Sequence, residues 1–429
     1  MFKKVLALVL AVLMVATACV ALSSCGKKDK KKGESEELLP RQAVTNDVTV
    51  PADFKIGLIC LHDENSTYDK NFIDGFKSVV TALGIPEANY FIKTGIGESN
   101  DCYDAAKDLV NKGCKIVFAD SFGHGPFMAQ AAAEFSAVQF CHATGTGTSV
   151  DTAPANLHNA FASIYEGRYC AGIAAGLKLN EMIKEKKITA EQAVIGYVGA
   201  FTYAEVVSGL TSFYLGARSV CPSATMKVRY TGSWYDYAKE NEAAKALITT
   251  DKCVLISQHA DSLGAPTACE EAGVPNISYN GSTYTAGENT FIVSSAINWA
   301  PYFKYIIKQV VAGEAIAKDW TGTIATNSVV LSGVNLDVAA EGTVDKINEA
   351  IAAFKAGTLH VFDTSKFTVN GAHLTEYMAD VVDDGTFTPD SNVIHDGYFD
   401  ESNATTFRSA PYFDICIDGI TYINTNFGD

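Results

Sequence analysis

Twice along this chain a short apolar run leads into a polar loop, a helical stretch and a further apolar run, and the two series share closely similar spacing. In the first, Lys55 to Leu61 reads as a strand. The loop His62 to Tyr68 follows, then Phe72, Phe76, Val79, Val80 and Leu83 at helical spacing, closed by Gly84. Strands over Asn89–Lys93, Lys115–Ala119 and Val138–Cys141 alternate with helices over Tyr103–Lys112 and Pro126–Phe135. In the second, Val194–Gly199, Lys227–Tyr230, Cys253–Ser257 and Val274–Ser278 read as strands, with a helix over Val206–Ala217. Such alternation predicts an α/β protein of two doubly wound parallel-sheet lobes joined by a hinge.

The expected division places residues 54–163 and 300–334 in lobe one and 164–299 in lobe two. Helices Ile164–Glu185 and Trp299–Ala312, the latter after a strand over Thr290–Ser295, carry the chain between lobes, and Thr323–Leu331 returns it to lobe one. Residues 335–429 form a C-terminal extension expected to pack on lobe one. It holds a helix over Val344–Lys355 and a hairpin of Tyr412–Ile417 with Ile420–Asn424, turned at Asp418-Gly419, the dipeptide of type I′ turns.

The first 24 residues carry Lys3 and Lys4, an apolar run from Val5 to Leu22 and a small-residue end, the plan of a signal peptide. Leu22-Ser23-Ser24-Cys25 matches a lipobox better than the sequence before Cys19, so Cys25 is the expected lipidated first residue of an extracytoplasmic, membrane-anchored protein. Residues 25–53, with Lys27, Lys28 and Lys30–Lys32 followed by Glu34, Glu36 and Glu37, read as a solvated tether.

A net charge of −16 argues against nucleic acid as a partner, because phosphate contacts need clustered cations. Of 11 cysteines, an odd number remains once Cys19 and Cys25 are set aside, and there is no C-x-x-C. Cys60, Cys114, Cys141 and Cys253 sit in apolar runs as expected buried free thiols.

In open parallel sheets, ligands bind beyond the carboxyl ends of the strands. Those ends carry His62, Asp63, Glu64, Asn65 and Tyr68, then Asp120, Phe122, Gly123 and His124. In the second half they carry Phe201, Glu205, Trp234, Asp236, Gln258, His259, Asp261, Asn280 and Trp299. Aromatic faces mix with neutral or acidic groups, and no arginine is among them. An anionic ligand would call for guanidinium groups or clustered lysines. The set favours a neutral ligand with a flat face and several hydroxyls or ring nitrogens, which a nucleoside offers, its base stacked on rings and its diol donating to Asp261. From these residues the candidate ligand contacts are Asn65, Tyr68, Phe122, Gly123, His124, Phe201, Glu205, Trp234, His259, Asp261, Asn280 and Trp299. Trp234 and Trp299 have core packing as the rival role, and Ser66, Thr67 and Asp69 have helix capping.

No catalytic motif is present: there is no G-x-S-x-G, H-E-x-x-H or Walker A sequence. Cys141 and His142 are strand neighbours and point to opposite faces. No metal-ligand spacing stands out, and neither a metal nor a cofactor is expected.

Several phrases carry a family resemblance: Phe118-Ala119-Asp120-Ser121-Phe122-Gly123, Gln139-Phe140-Cys141-His142-Ala143-Thr144-Gly145, Tyr165-Glu166-Gly167-Arg168-Tyr169, Ile195-Gly196-Tyr197-Val198-Gly199, Ser257-Gln258-His259-Ala260-Asp261 and Asn298-Trp299-Ala300-Pro301-Tyr302. From about Lys55 onward the chain resembles the basic membrane protein family of substrate-binding lipoproteins, related to purine-nucleoside receptor A. The resemblance implies a periplasmic-binding-protein-like fold of type I that closes on its ligand by hinge motion. It implies ABC permease subunits as partners and purine nucleosides as frequent ligands. Where members often carry D-D-x-x-F-N after the first strand, this chain has Asn65-Ser66-Thr67-Tyr68-Asp69-Lys70-Asn71-Phe72, which leaves Tyr68, then Phe72, as the expected base-stacking residue. The competing readings are a sensor presenting ligand to a signalling receptor and a surface nucleoside hydrolase using Asp261 or Glu205.

Overall fold

The computed structural model describes residues 33, 35–149, 152–382, 386, 388–401 and 407–425. Cys25 and the apolar leader lie outside these residues.

In the first lobe, β1 (Ile56–Ile59) is fully buried, and α1 (Thr67–Ala82) begins at Ser66, whose side chain accepts from the Asp69 amide. Phe72, Ile73, Phe76, Val79 and Val80 give α1 one apolar stripe, which it lays on the sheet. Then come β2 (Tyr90–Lys93), α2 (Asn100–Asn111), β3 (Ile116–Ala119), α3 (Gly125–Glu134), β4 (Gln139–Ala143) and β5 (Leu157–Ala162). Helix α4 (Ile164–Lys184) leads to the second lobe: β6 (Val194–Gly199), α5 (Ala204–Val220), β7 (Thr225–Tyr230), α6 (Tyr237–Thr249), β8 (Leu255–His259), α7 (Gly264–Ala272), β9 (Asn276–Tyr279) and β10 (Phe291–Ile297). Helix α8 (Ala300–Ala312) and β11 (Asp319–Gly322) return to lobe one, and β12 (Val329–Leu331), α9 (Thr343–Lys355) and β13 (Ile420–Tyr422) follow.

The first sheet runs β11-β5-β4-β3-β1-β2, all parallel. The second runs β12-β10-β9-β8-β6-β7-β13, parallel except at the β10–β12 edge. This is the periplasmic-binding-protein-like α/β architecture. Parallel strands buried on both faces need helices on both sides, which accounts for their continuous apolar runs.

Helices α4 and α5 meet at glycines. A Cβ on Gly172 would fall 2.0 Å from the Phe213 carbonyl oxygen, and one on Gly216 would fall 2.1 Å from that of Tyr169. Any larger residue at either position forces the two helices apart.

The chain passes between lobes at Ser163, at Asn298–Trp299 and at residues 323–328, and these passages are bonded to one another. Ser163 N donates to Gly322 O at 2.7 Å, Asn298 N to Ser328 O at 2.8 Å, and Ile324 N to a Glu166 carboxylate oxygen at 2.6 Å.

Three details differ from the expected layout. Residues 35–50 are not a free tether: Leu39 bridges to Leu331, Asn327 Nδ2 donates to Pro40 O at 2.9 Å, and Lys304 pairs with Asp47. The apolar Leu38 and Leu39, placed after the charged run, supply the burial that docks this segment. Val329–Leu331 does not rejoin lobe one; it pairs antiparallel with β10 of lobe two. Nor does Ile420–Tyr422 form the expected hairpin. It adds in parallel to β7, Ile420 opposite Met226, covering an edge that would otherwise expose unpaired backbone groups. Asp418 caps the 368–371 turn instead, accepting from Gly371 N at 2.8 Å. The extension therefore packs largely on lobe two, where α9 lies on α4 with Phe354 edge-on to Tyr169. Ser409 N bonds Asp319 Oδ2 of lobe one at 2.9 Å.

Among the described residues eight cysteines are buried free thiols and Cys416 is exposed; no helix there is long and apolar enough to cross a membrane.

Candidate ligand-binding cleft

The carboxyl ends of both sheets face one cleft, whose walls bound about 390 Å³ of space counting its opening to solvent. Lobe one supplies Leu61, His62, Tyr68, Asp69, Ser121, Phe122 and Thr144; lobe two supplies Glu205, Trp234, His259, Asp261 and Tyr279. Among the described residues no lysine or arginine lines it.

The lobes touch around its rim. Thr67 donates to the Asp261 carbonyl through its amide at 3.2 Å and its hydroxyl at 3.1 Å, and Asn71 Nδ2 donates to Asn280 O at 2.8 Å. Phe122 approaches Tyr203 with ring centroids 5.7 Å apart, and His62 approaches Tyr235 at 5.4 Å. Polar groups and tilted aromatic rings, rather than an apolar seam, join the lobes here. Such a contact opens more readily than a continuous core.

Each wall is built by its own lobe. Ser66 ends the loop after β1 and starts α1, so Tyr68 and Asp69 fall in the first helical turn and face the cavity. The Tyr68 hydroxyl is fixed by donating to Asp120 O at 2.7 Å. In lobe two, Phe201 stacks on Tyr203 at 5.0 Å and meets Trp234 edge-on at 5.1 Å, giving an aromatic wall. The buried His259 lies 4.0 Å, ring to ring, from Tyr279, with Nε2 3.7 Å from Glu205 Oε1, beyond hydrogen-bond reach. Among the described residues neither ring nitrogen of His259 has a hydrogen-bond partner, nor does the Tyr279 hydroxyl. Buried polar atoms are normally paired, so three orphans at one cavity mark where a ligand's polar atoms belong.

The electrostatics follow from burial without a cation. Burial, reinforced by Glu240, raises the Asp261 pKa well above the usual carboxylate range, while Asn280 Nδ2 donates to its Oδ1 at 3.1 Å. Burial also lowers the His259 pKa, which leaves the imidazole neutral at pH 7, one nitrogen a donor and the other an acceptor. For Asp69 burial acts upward, but hydrogen bonds from His62 and Ser66 overcome it and hold the pKa low.

Of the expected contact residues, Tyr68, Phe122, Glu205, Trp234, His259 and Asp261 line the cavity. Phe201 and Asn280 stand behind it, against Trp234 and Asp261. The other four lie elsewhere. Asn65 is exposed and bonds Asp63; Gly123 N donates to Glu98 Oε1 at 2.9 Å; His124 Nε2 is 2.9 Å from Ile96 O. Trp299 is buried in the lobe-one core, stacked on Phe72 at 4.2 Å, because the first turn of α8 faces α1 rather than the cleft. Phe72 is likewise a core residue. Leu61, His62, Ser121, Thr144 and Tyr279 reach the cavity without having been chosen as contacts, and Asp69, weighed between helix capping and ligand contact, lines it too. Each sits in or just beyond a strand end or helix start, and alternation along β9 was the one signal that could have turned Tyr279 inward.

The family model for PnrA-like ABC transporter substrate-binding proteins, Bmp, matches residues 61–357. This chain belongs to the Bmp family. The Bmp match ends where the C-terminal extension begins to leave α9. A purine-binding protein of Brucella abortus is 33% identical over 55% of this chain and 63% of its own length. A Haloferax volcanii protein, provisionally named as an ABC transporter glucose-binding protein, is 32% identical over 53% of this chain and 54% of its own. The chain thus spans little more than half the length of these curated relatives. Among solved structures, solute-binding proteins of ABC transporter systems from Conexibacter woesei and Aeropyrum pernix superpose with TM-scores of 0.57 and 0.56. They share 18% and 14% identity, cover 72% and 71% of this chain and 98% and 87% of their own, and establish a shared fold.

Proposed function

We propose that this Bmp-family protein is the lipid-anchored, extracytoplasmic receptor of an ABC importer, and that its cleft takes a purine nucleoside. The observation that carries this reading is the cavity itself: ring faces, carboxylates, no cation, and the unpaired nitrogens and hydroxyl of His259 and Tyr279. A purine offers a π face to Trp234 and Phe122 and ring nitrogens to His259 and Tyr279. A ribose diol bonds the Asp261 carboxyl, while the ionised Asp69 and a lining without a cation disfavour a phosphate. Ligand contacts to both lobes favour the closed arrangement over an open one, a population shift that presents a loaded receptor to a permease. The anchor is the Cys25 lipid, read from Leu22-Ser23-Ser24-Cys25. No paired acid and base positioned around a reacting bond supports hydrolysis.

Isothermal titration with inosine, guanosine, adenosine and glucose tests the ligand class. At least one nucleoside is expected to bind, and Trp234→Ala is expected to weaken it about tenfold with folding retained, since a base-stacking ring contributes roughly 1–3 kcal/mol. Tight binding of glucose with no response to any nucleoside would discard the purine assignment, and unchanged affinity in Trp234→Ala would remove that ring from the site.

A further inference from the structure

Beneath the floor of the cleft three ligating atoms converge with no cation beside them. Cys60 follows β1 by one residue and Asp120 follows β3 by one residue. The parallel register, Ile59 opposite Ala119, sets them side by side. Asp69 comes back at them from the first turn of α1. The Cys60 sulfur and one oxygen from each carboxylate all lie within 4.8 Å of one another, and all three residues are buried.

The carboxylates are held from behind. The Leu61 amide donates to Asp120 Oδ1 at 3.1 Å, the His62 amide to Asp69 Oδ1 at 2.7 Å, and the Ser66 hydroxyl to Asp69 Oδ2 at 2.6 Å. Asp120 Oδ2, fully buried and aimed into the cluster, has no hydrogen-bond partner. His62 Nδ1 stands 3.4 Å from Asp69 Oδ2, on the side nearer solvent. The nearest histidines are His62 and, 3.9 Å from Asp120 Oδ1, His124; Tyr68, Cys102 and Glu64 are the other titratable groups facing the cluster. Among the described residues no lysine or arginine pairs with either carboxylate.

We propose that Cys60, Asp69 and Asp120 form a binding site for a thiophilic divalent cation of the zinc class, with His62, which stands beside Asp69 and outside the three-atom cluster, turning in as the fourth ligand. A tetrahedral zinc holds sulfur at ~2.3 Å and oxygen or nitrogen at ~2.0–2.2 Å, which sets its ligands roughly 3–4 Å apart. The three atoms need to draw in by less than an ångström or so from their outer separation. One thiolate, one imidazole and two carboxylates suit zinc or cobalt better than calcium or magnesium, which take all-oxygen sets. Backbone donors that orient the free carboxylate oxygen are the outer support such sites use. On binding, the Cys60 thiol and the carboxyl pair of Asp69 and Asp120 release their protons to water, and the sulfur bonds the cation, whose charge offsets the carboxylates. The ligands at 60, 62, 69 and 120 follow no sequence motif; only the strand register and the start of α1 bring them together. Because Tyr68 precedes Asp69, the cation would pin one cleft wall, yet the inference does not depend on which ligand the cleft takes.

The test is a cobalt(II) titration of the full chain after dialysis against chelator, followed by optical absorption. The expected result is one cobalt per chain with a thiolate-to-cobalt charge-transfer band, displaced by zinc. That band should be absent in Cys60→Ala, whose fold is checked by circular dichroism, and Asp120→Asn should need at least tenfold more cobalt. No charge-transfer band in the wild-type chain would overturn the site, leaving two carboxyls that share a proton. A band that survives in Cys60→Ala, or an unchanged cobalt affinity in Asp120→Asn, would overturn it as well. Should Cys60→Ala fail to fold, Asp120→Asn decides.

Discussion

Replacing Arg168 by leucine is expected to destabilise the protein by about 3 kcal/mol or more, measured by urea denaturation. The guanidinium is wholly buried in α4 and faces the underside of the second sheet. It donates to Ser278 O at 3.0 Å, Tyr197 Oη at 3.1 Å, Ser257 Oγ at 2.6 Å and Gln258 O at 3.3 Å. The rings of Phe213, Tyr279 and Tyr197 surround it at 4.8, 5.5 and 5.6 Å, so π faces and carbonyls, not a carboxylate, compensate its charge. Leucine removes the charge but leaves several buried acceptors short of a donor. Lysine, lacking the planar fork, should rescue little. Two of the carbonyls belong to β8 and β9, whose last residues are His259 and Tyr279, so ligand affinity should fall with stability. A loss below about 1 kcal/mol would mean that water replaces the guanidinium, and would count against a rigid sheet end as the support of the cleft.

Glu401→Gln is expected to act in the opposite direction, and only above acidic pH. Burial raises the Glu401 pKa to about 8 from its ordinary 4.5. Its Oε2 accepts from the Tyr412 amide at 3.4 Å, Ser208 and the Phe413 amide lie close by, and Oε1 has no well-aligned donor among the described residues. The folded protein therefore holds this proton where the unfolded chain has lost it. Stability from this group is fully present below pH 4.5, falls as pH rises, and levels off above pH 8. Over that window the loss is on the order of 5 kcal/mol. Glutamine keeps an acceptor for Tyr412 and places a neutral amide in the unpaired position. The variant should match wild type near pH 4 and exceed it at pH 8. Burial likewise raises Glu166 and Glu240 to about 7, so a shallower fall with the same sign should persist in the variant. Identical pH profiles for variant and wild type would show that Glu401 is ionised in the folded protein.

The central strands of both sheets were legible because buried parallel strands are apolar runs, and Ile56–Ile59, Ile116–Ala119 and Val194–Gly199 are such runs. β5 was not, since Leu157–Ala162 interrupts its apolar residues with His158 and Asn159. Both are buried by tertiary partners: Gln139 for His158, Asp319 and Ser409 for Asn159. Helix α6 was passed over because its exposed face is charged and few of its residues are buried. The chain's return to the edges of lobe two failed to show for a related reason. Ile420–Tyr422 and Val329–Leu331 are short, and which edge a short strand joins is decided by which edge lies open. In the cleft, residues standing at strand ends were readable by position, as with Trp234, His259 and Asp261. Trp299 was not, because its placement depends on how α8 lies against α1. The Cys60–Asp69–Asp120 cluster had no signature at all, being a product of strand register.

The cleft is taken here to accept a flat, uncharged guest and to reject the same guest once it carries phosphate. Side-by-side isothermal titration with inosine and inosine 5′-monophosphate measures that directly. Binding of inosine with at least a hundredfold weaker response to the monophosphate is the expected result. Equal or tighter binding of the monophosphate would contradict it.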